Sequence, residues 1–377
     1  MREIPFYIPS IDKEEKALIN EVLSLKGASK IEELEDLMTD YVGCKYAVST
    51  SSWSAAMHLS MFALELKRGD KILCSVNAFP TVAESVRHFD AEPIFVDIDG
   101  DDFNISATKL KEALVKHMHK KLKAVIVSHI GGQPSDMEEI YKIAKDNKIV
   151  VIEDASMALG ATYNGKKIGS SGADITTFGF SSKLKNAIGN AGIIATDNEE
   201  IYKRAKLIRH HAIKSDEWDV SAHLGYIYDV IDIGIKYDTS ELDAAYAIAQ
   251  LQKADTHIKR RQAIAKIYDK ELSSVKNIIL PKKVRDHVYE LYVIKVDKNR
   301  DDFARELRDK GIYTGLHYVP LHLLTYYKQK YSLRVNDFPA ALTMYQQILS
   351  IPNYAAMSDD DVMYVCKTIK EIAANRV

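Results

Sequence analysis

A chain of 377 residues is too long for one small core, and two lobes are the natural expectation. With 46% hydrophobic and 28% charged residues and no low-complexity tract, the composition is globular, not disordered or fibrous. Lys and Arg number 51 against 53 Asp and Glu, a net charge of −2. No global field invites nucleic acid or an anionic membrane, so the expected partner is a small molecule.

The first residues, MREIPFYIPS, carry no apolar core of a secretory signal, and no run is long and apolar enough to span a bilayer. Cys44, Cys74 and Cys366 are widely spaced in apolar surroundings, which suits reduced thiols and a cytoplasmic protein. The first two thirds alternate β-rich runs with helical stretches. Strands are expected over 71–76, 93–97, 124–129, 149–153, 175–180 and 192–196. Runs such as KAVIVSH and KIVVIED are apolar almost to their last residue, as parallel strands covered on both faces must be. Helices are expected over 54–66, closed by Gly69, over 110–119, and over 136–146, opened by Ser135 or Asp136. The alternation predicts a doubly wound α/β sheet, whose ligands bind beyond the carboxyl ends of the strands. Asn77, His129, Asp154 and Ser181 to Lys183 follow four such strands and would converge on one crevice.

From Ser240 the pattern turns to about 33 residues of helix, with a break near 255–257, then a strand at 291–296 and a helix at 302–310. A loop rich in His, Tyr and Pro and two closing helices, after Phe338 and Ser358, complete a smaller α+β lobe. The boundary is placed near residue 255, giving domains 1–255 and 256–377.

Several residues have the chemistry of a site, each with a structural alternative. Glu153 and Asp154 end a buried strand, where a carboxylate needs a partner. A protonated pyridine nitrogen would serve, and so would the amides of a following helix. Lys183 and Lys185 leave the next strand; partial burial near helix N-termini lowers a lysine's pKa, as Schiff-base chemistry requires. Ser54, at a helix start without glycine, offers an anion site or a simple cap. Phe79 suits stacking on a flat ring or packing in the core, and His129 has no second ligand at metal spacing, so no metal is expected.

Taken together, SSWSAAMHL, SHIGGQPSDM, IEDASMALGA, the lysine turn, SELDAAYAIAQL, HYVPLH and LSIPNYAAMS resemble the DegT-type sugar aminotransferases, which are fold-type I enzymes using pyridoxal 5'-phosphate (PLP). The resemblance runs from about residue 5 to residue 370. It implies a homodimer with shared sites, Lys183 as the lysine that carries PLP and relays the proton, and Asp154 against the pyridinium. It places Phe79 on the PLP ring, Trp53 and Ser54 at the phosphate, and His317, Tyr318 and His322 near a nucleotide-sugar pocket.

Departures from the pattern stand beside it. Met157 replaces a Gln or His that bonds the phenolic oxygen, and a thioether cannot donate. Gly179 stands where the family has a serine, and Ser181 or Ser182 is the substitute phosphate hydroxyl. In GIKYDT, Lys236 is the candidate for reaching across the dimer, while Asp238 replaces a cation. The turn before Lys183 is one residue short, which leaves Lys185 as an alternative. The implied reaction moves an amino group from L-glutamate to a nucleotide-linked keto sugar, in surface-polysaccharide or natural-product sugar synthesis. A smaller phosphorylated ketone or aldehyde is the alternative acceptor. Sugar dehydration and a non-catalytic PLP-binding regulator are the remaining alternatives.

Overall fold

The computed structural model describes residues 2–25, 27–118, 121–181, 188–214 and 228–376. Ser182, Lys183 and Lys185 lie outside these residues, and of Ser181 only the backbone is described.

Two helices open the chain, α1 (Lys13–Leu23) and α2 (Lys30–Val42). Strands and helices then alternate: β1 (Tyr46–Thr50), α3 (Trp53–Ala63), β2 (Lys71–Ser75), α4 (Thr81–Arg87), β3 (Glu92–Val96) and α5 (Ala107–His117). Next come β4 (Leu122–Ser128), α6 (Met137–Asn147), β5 (Val150–Asp154), and a short hairpin of β6 (Thr162–Tyr163) and β7 (Lys166–Lys167). The strands β8 (Ile175–Ser181) and β9 (Asn190–Thr196) and helix α7 (Glu199–Arg209) close this part.

The seven-stranded sheet has the order β1-β9-β8-β5-β4-β2-β3. Parallel pairing runs from β3 to β8, and β9 pairs antiparallel with both β8 and β1. Only β9 therefore runs against the others, so Thr50, Ser75, Val96, Ser128, Asp154 and Ser181 all end at one edge. Apolar clusters cover the sheet on both faces, one built with α3, α4 and α7 and others with α2, α5, α6 and the helix over 241–252. Burial on both faces explains the near-continuous apolar strands.

The later chain holds α8 (Glu241–Gln252), α9 (Ala254–Leu272), β10 (Ile278–Ile279), β11 (Tyr292–Val296) and α10 (Arg300–Asp309). It ends with α11 (Thr325–Lys330), α12 (Pro339–Gln347), β12 (Ile348–Ile351) and α13 (Asp359–Ala374). Strands β10, β11 and β12 form a separate antiparallel sheet. Its core gathers Tyr268, Tyr292, Phe303 and Ile369, and also Ile4 from the N-terminus. The expected boundary near residue 255 falls in the first turn of α9.

Local physics moves several expected boundaries. Helix α3 stops at Ala63, because Glu65 takes a left-handed φ of 52°. Gly69 instead serves the turn into β2, its amide donating to the Asp90 carbonyl at 2.9 Å. The long helix breaks at Lys253, two residues before the expected place. Asp136 precedes α6 but makes no cap bond; its carboxylate accepts from the Tyr163 hydroxyl.

Contacts at the strand-end edge tie the two parts together. Asp97, just past β3, accepts from the Ala340 and Ala341 amides at 3.0 and 2.9 Å, so it satisfies the open first turn of α12. Gln133 Oε1 accepts from the Val284 and Arg285 amides. The N-terminal segment crosses over both: Ile4 exchanges backbone bonds with Gly311 and Tyr313, and the Ser10 carbonyl accepts from Gln250 Nε2 at 3.0 Å.

Candidate active site

Consecutive residues of a strand point to opposite faces, and this sorts the two carboxylates that end β5. Glu153 faces a fully enclosed polar nest. It accepts from the Tyr141 hydroxyl at 2.6 Å and the Thr176 hydroxyl at 2.8 Å, with His129 Nε2 at 3.7 Å. Burial opposes its charge, yet His129, Tyr141 and Thr176 outweigh burial and bring its pKa below the usual carboxylate range. His129 Nδ1 accepts from the Ser135 amide, which leaves its ring proton on the Nε2 that faces Glu153. Glu153 is fully served by its neighbours.

Asp154 is not. Among the described residues its hydrogen bonds both fall on Oδ1, from the Ser156 amide at 3.1 Å and the Ser156 hydroxyl at 2.6 Å. Residue 154 is 5% exposed, and burial raises the carboxyl pKa against the pull of Ser156, the Ser128 hydroxyl and His129. No helix follows, so the expected cap is a turn closed on Ser156 instead. A buried carboxylate with one engaged oxygen is suited to a cationic N–H partner.

Facing it is an aromatic wall. Phe79 is 46% exposed, with Trp53 at 6.3 Å and Tyr318 at 5.7 Å between ring centroids. Asn77, at the end of β2, holds this wall by accepting from the Tyr318 amide at 3.2 Å and donating to the Phe103 carbonyl. Burial, with Asp154 next, raises the Tyr318 pKa and keeps its hydroxyl protonated.

At the end of β1, Ser52 caps α3 by accepting from the Ala55 amide at 3.1 Å. The amides of Trp53 and Ser54 make no hydrogen bond among the described residues, and the Ser54 and Thr81 hydroxyls lie 3.0 Å apart. Uncovered amides at a helix start are suited to an anion. The Trp53 indole donates to Thr177 Oγ1 at 3.1 Å and lies over Gly179, where an added Cβ would come 2.9 Å from Trp53 Cβ. Trp53 and Gly179 are therefore a matched pair. Gly179→Ser alone is expected to destabilise the protein by about 1–3 kcal/mol, the usual cost of overpacking. The same change in a Trp53→Gly background should cost clearly less, and thermal melts of the double-mutant cycle decide it.

The other predicted residues are placed as follows. Met157 Sδ accepts weakly from the Gly131 amide at 3.4 Å. His317 bonds the Ser350 hydroxyl at 2.9 Å and stacks on Phe6. His322 is wholly buried against Phe338, with Nε2 at 3.1 Å from the Val335 carbonyl, which fixes the loop ahead of α12. Lys236 is ion-paired with Asp238 at 2.7 Å, and Arg209 and His210 also face that carboxylate. The structure brings Asp154, Phe79, Tyr318, Trp53, Ser54 and Met157 to one cleft; His322 and Lys236 have their partners elsewhere.

Beside the cleft lies a cavity of about 110 Å³, lined in part by Ser156, Met157 and Gly179. Tyr7, Arg261, Glu290 and Asn353 line it too; Asn353 lies in the LSIPNYAAMS stretch, but the sequence assigned none of the four to a site. They come from four segments far apart in the chain, and no short motif joins them. Ser156 was the one readable signal, a hydroxyl two residues past a buried aspartate.

These residues fit PLP: a buried carboxylate with one engaged oxygen for the ring nitrogen, an uncovered phenyl face, and helix amides for the phosphate. Met157 supplies no donor to a phenolic oxygen. No cluster of three or more potential metal ligands exists among the described residues.

Fold and cleft together define a fold-type I aminotransferase. The chain belongs to the DegT/DnrJ/EryC1/StrS aminotransferase family, whose profile matches residues 9–370 and whose members are PLP-dependent. It is similar to the spore coat polysaccharide biosynthesis protein SpsC of Bacillus subtilis, 33% identical over 98% of this chain and 97% of that one. It is also similar to GDP-perosamine synthase of Escherichia coli O157:H7, 30% identical over the full length of both. Among solved structures, Spr1654 of Streptococcus pneumoniae in its PMP form superposes with a TM-score of 0.92 at 24% identity, covering 100% of both chains. No helix is long and apolar enough to cross a membrane among the described residues.

Proposed function

We propose that this protein transfers an amino group from L-glutamate to the keto group of a nucleotide-linked deoxysugar, in the synthesis of a surface polysaccharide. The observation that carries the reading is the half-engaged, buried Asp154 facing Phe79 and Tyr318, in a chain related to GDP-perosamine synthase and SpsC.

PLP, when bound, supplies an electron sink for the carbanion formed during amino transfer. Asp154 holds the ring nitrogen protonated, and Ser156 keeps that carboxylate in place. Phe79 covers one ring face. The α3 amides with Ser54, and the hydroxyl of Ser181 or Ser182, hold the phosphate, and Trp53 walls that end. Lys183 anchors the coenzyme and moves the proton between donor carbon and coenzyme. His317 and Tyr318 line the approach of the acceptor, in a homodimer whose second copy completes each site.

The test is direct. Purified protein should carry a coenzyme absorbance band in the visible that bleaches on adding L-glutamate. The band should return on adding a nucleotide-linked keto sugar. Return with a small phosphorylated ketone alone would replace the acceptor, and a silent band would refute the enzyme.

A further inference from the structure

The cavity beside Met157 contains groups that the mechanism above does not use. Arg261, on α9, lines it with one edge of its guanidinium committed. Its Nε donates to the Val288 carbonyl at 3.1 Å, and one terminal nitrogen pairs with Glu290 at 3.1 Å. The other terminal nitrogen makes no hydrogen bond among the described residues. Arg261 is the only lysine or arginine lining the cavity among the described residues. His257 adds no cation, since burial, with Arg261 next, lowers its pKa.

The second observation is Asn353, 6% exposed. Its amide nitrogen donates to the Tyr289 carbonyl at 2.9 Å, which fixes the orientation of the group. Its Oδ1 is left buried with no partner among the described residues. A buried orphan acceptor is costly, and it asks for a ligand N–H or O–H. Tyr7 adds a hydroxyl kept protonated, because burial first and Glu290 next raise its pKa.

We infer that this cavity receives the amino donor, an α-amino acid, with Arg261 taking its α-carboxylate. The open edge of the guanidinium matches a carboxylate in a planar, charge-assisted pair. Glu290 beside it keeps the local charge balanced, so a bare anion gains little while a zwitterion is served at both ends. The donor ammonium meets acceptors in Asn353 Oδ1 and Glu290. The cavity measures about 110 Å³, and one water takes roughly 10–15 Å³ by the same measure, so a small amino acid fits. The inference rests on the aminotransferase reading above.

The experiment is calorimetric binding to PLP-loaded protein. The probes are α-methyl-L-glutamate, which lacks the hydrogen needed for transfer, and n-butylamine, which lacks a carboxylate. Arg261→Gln should weaken the first by roughly 10- to 100-fold, the loss expected for a charge-assisted bond, and leave the second within about twofold. Arg261→Lys should fall between, and Asn353→Ala should weaken the first probe while keeping the melting temperature within a few degrees. Equal binding of the amino acid by wild type and Arg261→Gln overturns the inference. So does an equal loss of both probes in Arg261→Gln and Arg261→Lys. A wild-type holoprotein that binds neither probe overturns the parent reading and the inference with it.

Discussion

Replacing Lys183 with alanine is expected to abolish amino transfer, lowering the single-turnover rate by roughly 10⁴-fold, the upper range for one positioned acid–base group. Lys183 stands nine residues before Gly192, the spacing of the longer-turn form of the family motif. The variant should still bind PLP, because Asp154, Phe79 and the amides at the start of α3 are untouched. Lys185→Ala should turn over near normally. Stopped-flow absorbance with glutamate measures the rates, and borohydride reduction followed by peptide mapping locates the modified lysine. Label confined to Lys185, or near-normal turnover of Lys183→Ala, refutes the assignment.

Asp154→Asn should act in opposite directions on function and on the stability of the coenzyme-free protein. An amide cannot hold a ring nitrogen protonated, so transfer should slow on the order of 10²–10³-fold, the range for losing one pre-organised electrostatic partner. The linkage of stability to pH runs as follows. Burial raises the Asp154 pKa in the folded chain above its unfolded value. Ionisation then favours unfolding: there is no cost below the unfolded pKa, and the cost is complete above the folded one. At neutral pH the coenzyme-free protein bears that cost, and the neutral asparagine does not, while its oxygen can still accept from Ser156. The coenzyme-free variant should therefore melt higher than wild type at neutral pH, with the gap closing as pH falls through the folded pKa. The stabilisation gained on adding PLP should be smaller in the variant. A coenzyme-free variant that melts lower than wild type at neutral pH and equally at acid pH would count against the role.

The large sheet was legible because strands buried on both faces must be apolar, and 124–129 and 149–153 show it within two residues of β4 and β5. Strand β1 was not, since YAVST is short and carries small polar residues at the sheet edge. The site was legible in part. Asp154 follows from strand-end logic, but nothing local says that its neighbour Glu153 would be satisfied by Tyr141 and Thr176 while Asp154 keeps an oxygen disengaged. His322 and Lys236 entered through a loop resemblance; burial against Phe338 and pairing with Asp238 are tertiary facts that no motif carries. Gly179 looked like a departure from the family, and Trp53 like a residue at the phosphate. Only their contact shows that one makes room for the other.

The N-terminal segment has a practical consequence. Ile4 is locked beside Gly311 and Tyr313, Ser10 is held by Gln250, and Tyr7 between them forms a wall of the cavity. Trimming a flank to aid crystallisation, or fusing a folded carrier directly ahead of residue 4, would unseat that wall. If the cavity takes the amino donor as inferred, a preparation made in that way is expected to show a changed donor affinity even with every residue around Asp154 intact.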